Sequence, residues 1–238
     1  MDSHAHSLSS PGSPNKILAR LPPQEYRRLL PDLVTVRLHQ GYAFLRPHIR
    51  TQEVYFLSGG VCSIRTVTAE GEMAGVALIG NEGVIGPSAF GGDPESGHTA
   101  VLEVADSDAQ VMNVSVFRRE MERGGAFSQL IYRYAQAFSE SLMQSVACNA
   151  LHSVERRCAR CLLEIRDHLG RDEFPFTQEA VAMLLGVRRA SVTLAADALH
   201  RAGLIEHSHR HIVVRKQLEG AACECYGIIR HYFARLSP

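Results

Sequence analysis

The stretch from Phe176 to Ile205, FTQEAVAMLLGVRRASVTLAADALHRAGLI, admits few folds. Thr177 suits a helix N-cap, because its hydroxyl accepts from a free backbone N–H of the first turn, and Glu179 suits that positive end. Val181, Leu184 and Leu185 recur at helical spacing, and Gly186 follows where the chain must turn out of the helix. A second stripe of Val192, Ala195, Ala196 and Leu199 starts at once, and Gly203 closes it. The small inward residues allow a partner helix to cross closely, while Arg189, Ala190, Thr193, Leu194 and Asp197 lie on the outer face. Helix, glycine turn, helix is the layout that sets a second helix in the major groove of DNA. Two amphipathic helices around a glycine also occur in ordinary all-α cores. The adjacent Arg188 and Arg189 favour nucleic acid, as does a hairpin signal between Ile205 and Lys216. His207, His209, Arg210 and His211 sit at or near its tip, giving a winged helix-turn-helix.

With 238 residues, 45% of them hydrophobic, the chain can build two domains of ordinary size. No apolar run approaches the ~20 residues that span a bilayer. The opening MDSHAHSLSSPGSPNK lacks the charged and apolar regions of a secretory signal, so the expected location is cytoplasmic, with no membrane partner. The formal net charge is zero but unevenly divided. From His152 onward 13 Lys and Arg face 10 Asp and Glu, a balance of +3, and the remainder carries −3. That asymmetry has the sign a DNA-binding end needs. Twelve His and six Cys invite a metallohydrolase reading, yet no HExxH, GxSxG or P-loop is present, so an enzyme is not expected.

Taken in order, residues 1–14 are rich in Ser, His, Pro and Gly and read as a disordered tail. Ile17 to Leu30 reads as short helical pieces broken at Pro22-Pro23. From Leu33 the period becomes two, with candidate strands Leu33–Leu38, Val54–Leu57, Val61–Thr66, Met73–Leu78, Thr99–Glu103 and Gln110–Val114. Short strands with Gly turns and no helix between them imply an antiparallel sandwich or small barrel. After Val116 a long helix is expected, with Phe127, Ile131, Tyr134, Phe138, Leu142 and Val146 as an apolar stripe. Pairing with its symmetry mate would bury that stripe and give a two-fold dimer. His152 to Leu169 is another amphipathic helix, and the tail from Gln217 to Leu236 is expected to be helical and to pack on the winged unit. The fold class is α+β. Its expected parts are a β-barrel sensor unit over 15–120, a dimerisation helix over 121–150 and a winged helix-turn-helix over 151–238.

LHQGYAFLRP (Leu38–Pro47), EVYFLSGGVCSIR (Glu53–Arg65), GNEGVIGPSAFGG (Gly80–Gly92) and the Phe176–Ile205 run, in this order, resemble the Crp/Fnr family of bacterial transcription regulators. The resemblance implies a cyclic-nucleotide-binding-like jelly roll, a homodimer, double-stranded DNA as partner and contact with RNA polymerase. Cyclic-nucleotide sensors of the family carry a Glu for the ribose and an Arg for the phosphate. Here those positions fall at Pro87 and at Gly97 or His98, so a buried anionic nucleotide would lose its strongest partners. Any effector is therefore not cAMP, a roll without an effector being the alternative, and the candidate pocket is Pro87, Ser88, His98 and Thr99. The family's oxygen sensors hold an iron–sulfur centre on an N-terminal Cys cluster, but no Cys precedes Cys62, and no cofactor is expected. The reading helix also departs from the family. Arg189 keeps the Arg position, whereas Ala190 and Leu194 replace a Glu and a second Arg, so the usual operator does not carry over.

The expected DNA contacts are Thr177, Gln178, Arg188 and Ser191 on phosphates, Arg189 and Thr193 on bases, and Arg210 and His211 from the wing. Half-sites should lie roughly 34 Å apart as an inverted repeat. Cys158-x-x-Cys161 on one helix face and Cys223-x-Cys225 are candidates for a four-Cys metal site or redox switch. Against that, buried Cys is a common core residue, and a helical CxxC lacks the knuckle that shapes zinc sites. A module that kept the fold and lost DNA binding is the remaining alternative.

Overall fold

Strand β3 (Glu53–Leu57) sets the architecture of the N-terminal unit, because four consecutive side chains, Val54 to Leu57, are buried. Successive strand side chains point to opposite faces, so such a strand needs cover on both sides. Tyr55 and Leu57 pack against a second sheet, whereas Val54 and Phe56 pack against helices. In a computed structural model that describes residues 13–86, 95–175, 177–208 and 211–236, β3 pairs with β7 (Ser107–Asn113). β7 pairs in turn with β1 (Val34–Leu38), giving the antiparallel order β1-β7-β3. The facing sheet has the order β2-β6-β4-β5, from β2 (Ala43–Leu45), β4 (Val61–Val67), β5 (Met73–Ile79) and β6 (Thr99–Val104). Phe44, Tyr55, Leu57, Leu102 and Val111 fill the space between them. Among the described residues the jelly roll is thus two facing layers rather than one ladder closed on itself. Alternation locates every strand of this unit except β2, which has three residues and shifts register against β6 between Ala43 and Leu45. Such a bulge erases the period of two.

Helices α1 (Lys16–Ala19) and α2 (Pro23–Leu29) close one end of the roll. Asn15 caps α1 by accepting from the N–H of Ile17 and Leu18, and its amide donates to Leu57 O at 3.1 Å and Gly83 O at 2.9 Å. Ser13, placed in the tail by composition, is buried and bonds through its hydroxyl to Gln110. His4 and His6 lie outside the described residues.

The single long helix expected after Val116 is two, α3 (Val114–Arg123) and α4 (Ala126–Leu151). Gly124 and Gly125 separate them with φ of 76° and 97°, a conformation that side chains with Cβ avoid. The Glu25 carboxylate accepts from the N–H of Ala126 and Phe127 at 3.1 Å each, satisfying donors that the α4 N-terminus would otherwise leave unpaired. Of the expected dimer stripe, Phe127, Ile131 and Tyr134 are instead buried in the core of their own β-unit, beside Phe56 and Phe117, whereas Val146 is 69% exposed.

The C-terminal unit comprises α5 (Val154–Leu169), β8 (Glu173–Pro175), α6 (Gln178–Leu185), α7 (Arg189–Arg201), β9 (Ile205–Ser208), β10 (His211–Val214) and α8 (Cys225–Ala234). β8, β10 and β9 form a small antiparallel sheet in that order. Leu162, Phe174, Val181, Val192, Ala196 and Ile212 share one core, and Val61 and Val104 of the jelly roll join it. The tail does not rest on the winged unit alone. α8 lies along α4, where Ala137 and Ser141 are small enough for close approach, and the Phe233 ring sits 6.1 Å from Tyr134. No helix among the described residues is long and apolar enough to cross a membrane.

Candidate nucleic-acid interface

The reading motif is assembled from local rules. Thr177 caps α6 by accepting from Ala180 N–H at 3.1 Å, a bond whose loss to alanine costs about 1 kcal/mol. Gly186 ends α6 in the left-handed region, with φ of 62°. Arg188 then takes an extended conformation as the N-cap of α7, with its side chain exposed. Val192, Ala195, Ala196 and Leu199 are buried, and the opposite face points to solvent.

On that outer face Arg188, Arg189 and Ala190 are exposed, and Leu194 is 72% exposed. Neither Arg188 nor Arg189 makes an ion pair among the described residues. Ser191 is half-buried, with its N–H bonded to Arg188 O at 2.9 Å. Thr193 and Gln178 are not independent of each other. The Thr193 hydroxyl donates to Gln178 Oε1 at 2.7 Å, tying the middle of α7 to the start of α6. The wing forms as a tight hairpin, with Ser208 opposite His211 and Ile212 opposite His207. Arg210 lies outside the described residues, as does His209. His211 sits on β10 with Nδ1 3.3 Å from Glu173, and His207 faces Asp197 at 3.6 Å. These two histidines are therefore on different strands, each beside its own carboxylate.

A family model described as the Crp-like helix-turn-helix domain matches residues 156–219. The chain carries a Crp-like helix-turn-helix domain. Its surroundings agree with that family. A Crp/Fnr-family transcriptional regulator from Eubacterium rectale superposes with a TM-score of 0.65 at 17% identity, over 84% of this chain and 94% of that one. FixK2 from Bradyrhizobium japonicum gives 0.69 at 14% identity, over 80% and 98%. A CRP/FNR-family transcriptional regulator from Thermus thermophilus gives 0.62 at 20% identity, over 79% and 98%. At these identities the likeness speaks for the Crp/Fnr fold. No curated protein matches the chain by sequence.

Two further features concern the candidate effector pocket and the joint between the units. Of the candidate effector residues, Pro87 and Ser88 lie outside the described residues, His98 is exposed, and Thr99 pairs with Arg65 in the β4–β6 ladder. Among the described residues a cleft of about 310 Å³ lies elsewhere, between β5, α4, α5, α6 and α8. His168 of α5 and Glu82 of the jelly roll meet at its wall, with Nδ1 3.0 Å from Oε2. Burial pushes the Glu82 carboxyl up, but the His168 imidazole and the Gly80 N–H outweigh it and hold the group at about 2. Burial likewise pushes His168 down, and Glu82 overcomes this and raises it.

The cysteines separate differently from the sequence expectation. Cys158 and Cys161 are buried in the winged core, and burial pushes Cys158 up to about 12, so it is an inert thiol at neutral pH. Cys223 and Cys225 do meet other ligand-type side chains, but these are Cys148 and His152 at the end of α4. The missed signal was Cys148-x-x-x-His152, two soft ligands one helical turn apart.

Proposed function

We propose that the chain is a homodimeric, sequence-specific DNA-binding transcription regulator of the Crp/Fnr type. The observation that carries this reading is the start of α7, where two exposed arginines, without ion pairs among the described residues, stand on a helix whose other face is locked into the winged core. Arg189 reads a guanine edge, Arg188 holds phosphate, and Leu194 and Ala190 press on thymine methyl groups. Thr177 and Ser191 add phosphate contacts from the two helix starts, and Thr193 presents its remaining acceptor to a base while bonded to Gln178. Arg210 and His211 reach the backbone from the wing. RNA polymerase is a partner at the promoter, and the setting is the cytoplasm.

The dimer rests on an α4 face that shares only Val146 with the stripe that hydropathy picks out. Tyr132, Gln136, Ser139, Met143, Val146 and Ala150 are all exposed, at alternating intervals of four and three. This is the spacing of a two-stranded coil seam. Tyr132, Met143 and Val146 are 65%, 64% and 69% exposed, which two copies of the helix would cover together. The effector is not cAMP, since no arginine stands at His98 and the buried rings of Phe44 and Tyr55, with centroids 5.1 Å apart, occupy the roll interior.

Selection of bound sequences from a random DNA pool tests the reading. It is expected to return an inverted repeat whose binding weakens steeply with salt. Sequence-independent retention, or a single half-site bound by a monomer, overturns it.

A further inference from the structure

Cys148 and His152 stand at the C-terminal end of α4, and Cys223 and Cys225 stand where the chain enters α8. The four side chains come from positions up to 77 residues apart, yet their ligand atoms all lie within 4.8 Å of one another. Cys148 Sγ is 3.5 Å from Cys223 Sγ, and Cys225 Sγ is 3.6 Å from His152 Nδ1. A tetrahedral zinc ion with bonds of ~2.3 Å to sulfur and ~2.0–2.1 Å to nitrogen requires edges of about 3.8 Å and 3.6 Å. The two shortest spacings are thus close to the edges of a coordination shell.

The surroundings complete such a site. His152 Nε2, on the far side of the ring, lies 3.1 Å from Glu224 Oε1, the carboxylate–imidazole–metal arrangement that fixes the tautomer and leaves Nδ1 to bind. The Gln144 amide donates to Cys225 Sγ at 3.1 Å, a bond suited to a thiolate. Arg157 and Arg160 provide an independent observation. Both are buried, and both leave Nε without a hydrogen-bond partner. Arg160 pairs with Glu164, whereas Arg157 has no ion pair among the described residues and bonds only to Leu185 O. Both interact electrostatically with Cys148. Buried cations beside neutral thiols are poorly compensated. Three thiolates and a dication make a complex of net charge −1, which supplies the missing counter-charge.

We propose that Cys148, His152, Cys223 and Cys225 bind one thiophilic divalent ion of the zinc class in a closed, four-ligand structural site. On binding, the three thiols release their protons to solvent, three sulfur–metal bonds and one nitrogen–metal bond form, and no electron moves. The ion ties the entry to α8 to the end of α4, beside the joint Leu151–Ser153 from which α5 departs. It thereby fixes the angle between the α4 coil and the reading domain. This inference does not depend on DNA binding.

The test uses full-length reduced protein and Co2+ as the probe. One equivalent is expected to give the d–d and sulfur-to-cobalt bands of a tetrahedral thiolate site, and one equivalent of Zn2+ to abolish them. The Cys223→Ser/Cys225→Ser variant loses the bands, whereas Cys158→Ser/Cys161→Ser keeps them. His152→Cys retains the ligand count, so it is expected to keep tetrahedral bands but shift them and strengthen the charge-transfer intensity, a readout that misfolding cannot mimic. Glu224→Gln weakens binding roughly 10-fold through the loosened imidazole. An octahedral spectrum in the wild type, or tetrahedral bands that survive loss of Cys223 and Cys225, overturns the proposal. A Cys148–Cys223 disulfide as the native state does the same. DNA affinity measured on the same samples separates failure of this site from failure of the regulator reading.

Discussion

A Cβ placed on Gly75 would stand 2.7 Å from Leu184 Cα and 2.9 Å from Leu184 O. The reading motif is therefore seated on the jelly roll by backbone contact between β5 and α6, at a point where no side chain fits. Neither partner can give way by rotating a side chain. Gly75→Val is expected to lift α6 from β5 at a cost of about 1–3 kcal/mol, while the β-unit keeps its own fold. Hydrogen exchange checks this: faster exchange over Gln178–Leu185, with unchanged protection in β1, β3 and β7, is the expected pattern.

The second hold between the units is His168 on Glu82, and its pH dependence follows from the directions of the two shifts. His168 is raised above its ordinary 6.5, so its contribution is complete below that value and is lost as pH rises through the folded value. Glu82 is lowered from 4.5 to about 2, so its contribution is present above 4.5 and lost only as pH falls through about 2. Glu164 and Lys16 also act on His168, in opposite senses. Docking, followed by protease cleavage between the units, should be tightest between about pH 5 and 6.5 and loosen on the alkaline side. Glu82→Gln is expected to remove that alkaline limb, and an unchanged profile would exclude the pair as its source.

Arg188 and Arg189 differ in role although both are exposed. Arg189→Ala is expected to cost on the order of 1–3 kcal/mol and to relax preference at one base position. Arg188→Ala should weaken binding to all sequences alike and lower the salt slope by about one. Equal losses on specific and random DNA for Arg189→Ala would remove it from base reading. Thr193→Val tests the tie to Gln178, and reduced specificity with intact helicity is expected.

Val146→Glu puts a charge in the middle of the exposed α4 seam, opposite its own copy in a dimer. Sedimentation is expected to show monomers, with operator affinity falling at least tenfold because each half-site then binds alone. Ile131→Glu serves as the contrast, since it breaks the β-unit core and should destabilise rather than merely dissociate.

The helix-turn-helix was legible because its rules are local: a threonine cap, a glycine exit and apolar residues three and four apart. Six of the seven strands of the β-unit were legible for the same reason. What could not be read was which of two interleaved stripes on α4 faces inward. Phe127, Ile131 and Tyr134 form the more apolar one, and the nearest hydrophobic surface, their own sheet, takes them first. That leaves the weaker Tyr132–Val146 seam for a second copy. Gly124-Gly125 was a visible break signal that the continuous helix reading passed over. The grouping of Cys148 and His152 with Cys223 and Cys225 depends on where α8 returns, a long-range fact that no window of sequence contains.

The return of α8 also dictates an order of events during synthesis. Leu236 is almost wholly enclosed and shares a core with Ile17, Leu18 and Leu29, so the β-unit lacks a wall until synthesis has passed that residue. Until then a hydrophobic opening faces solvent, where holding factors can bind it, and folding of the two halves ends in a single late step.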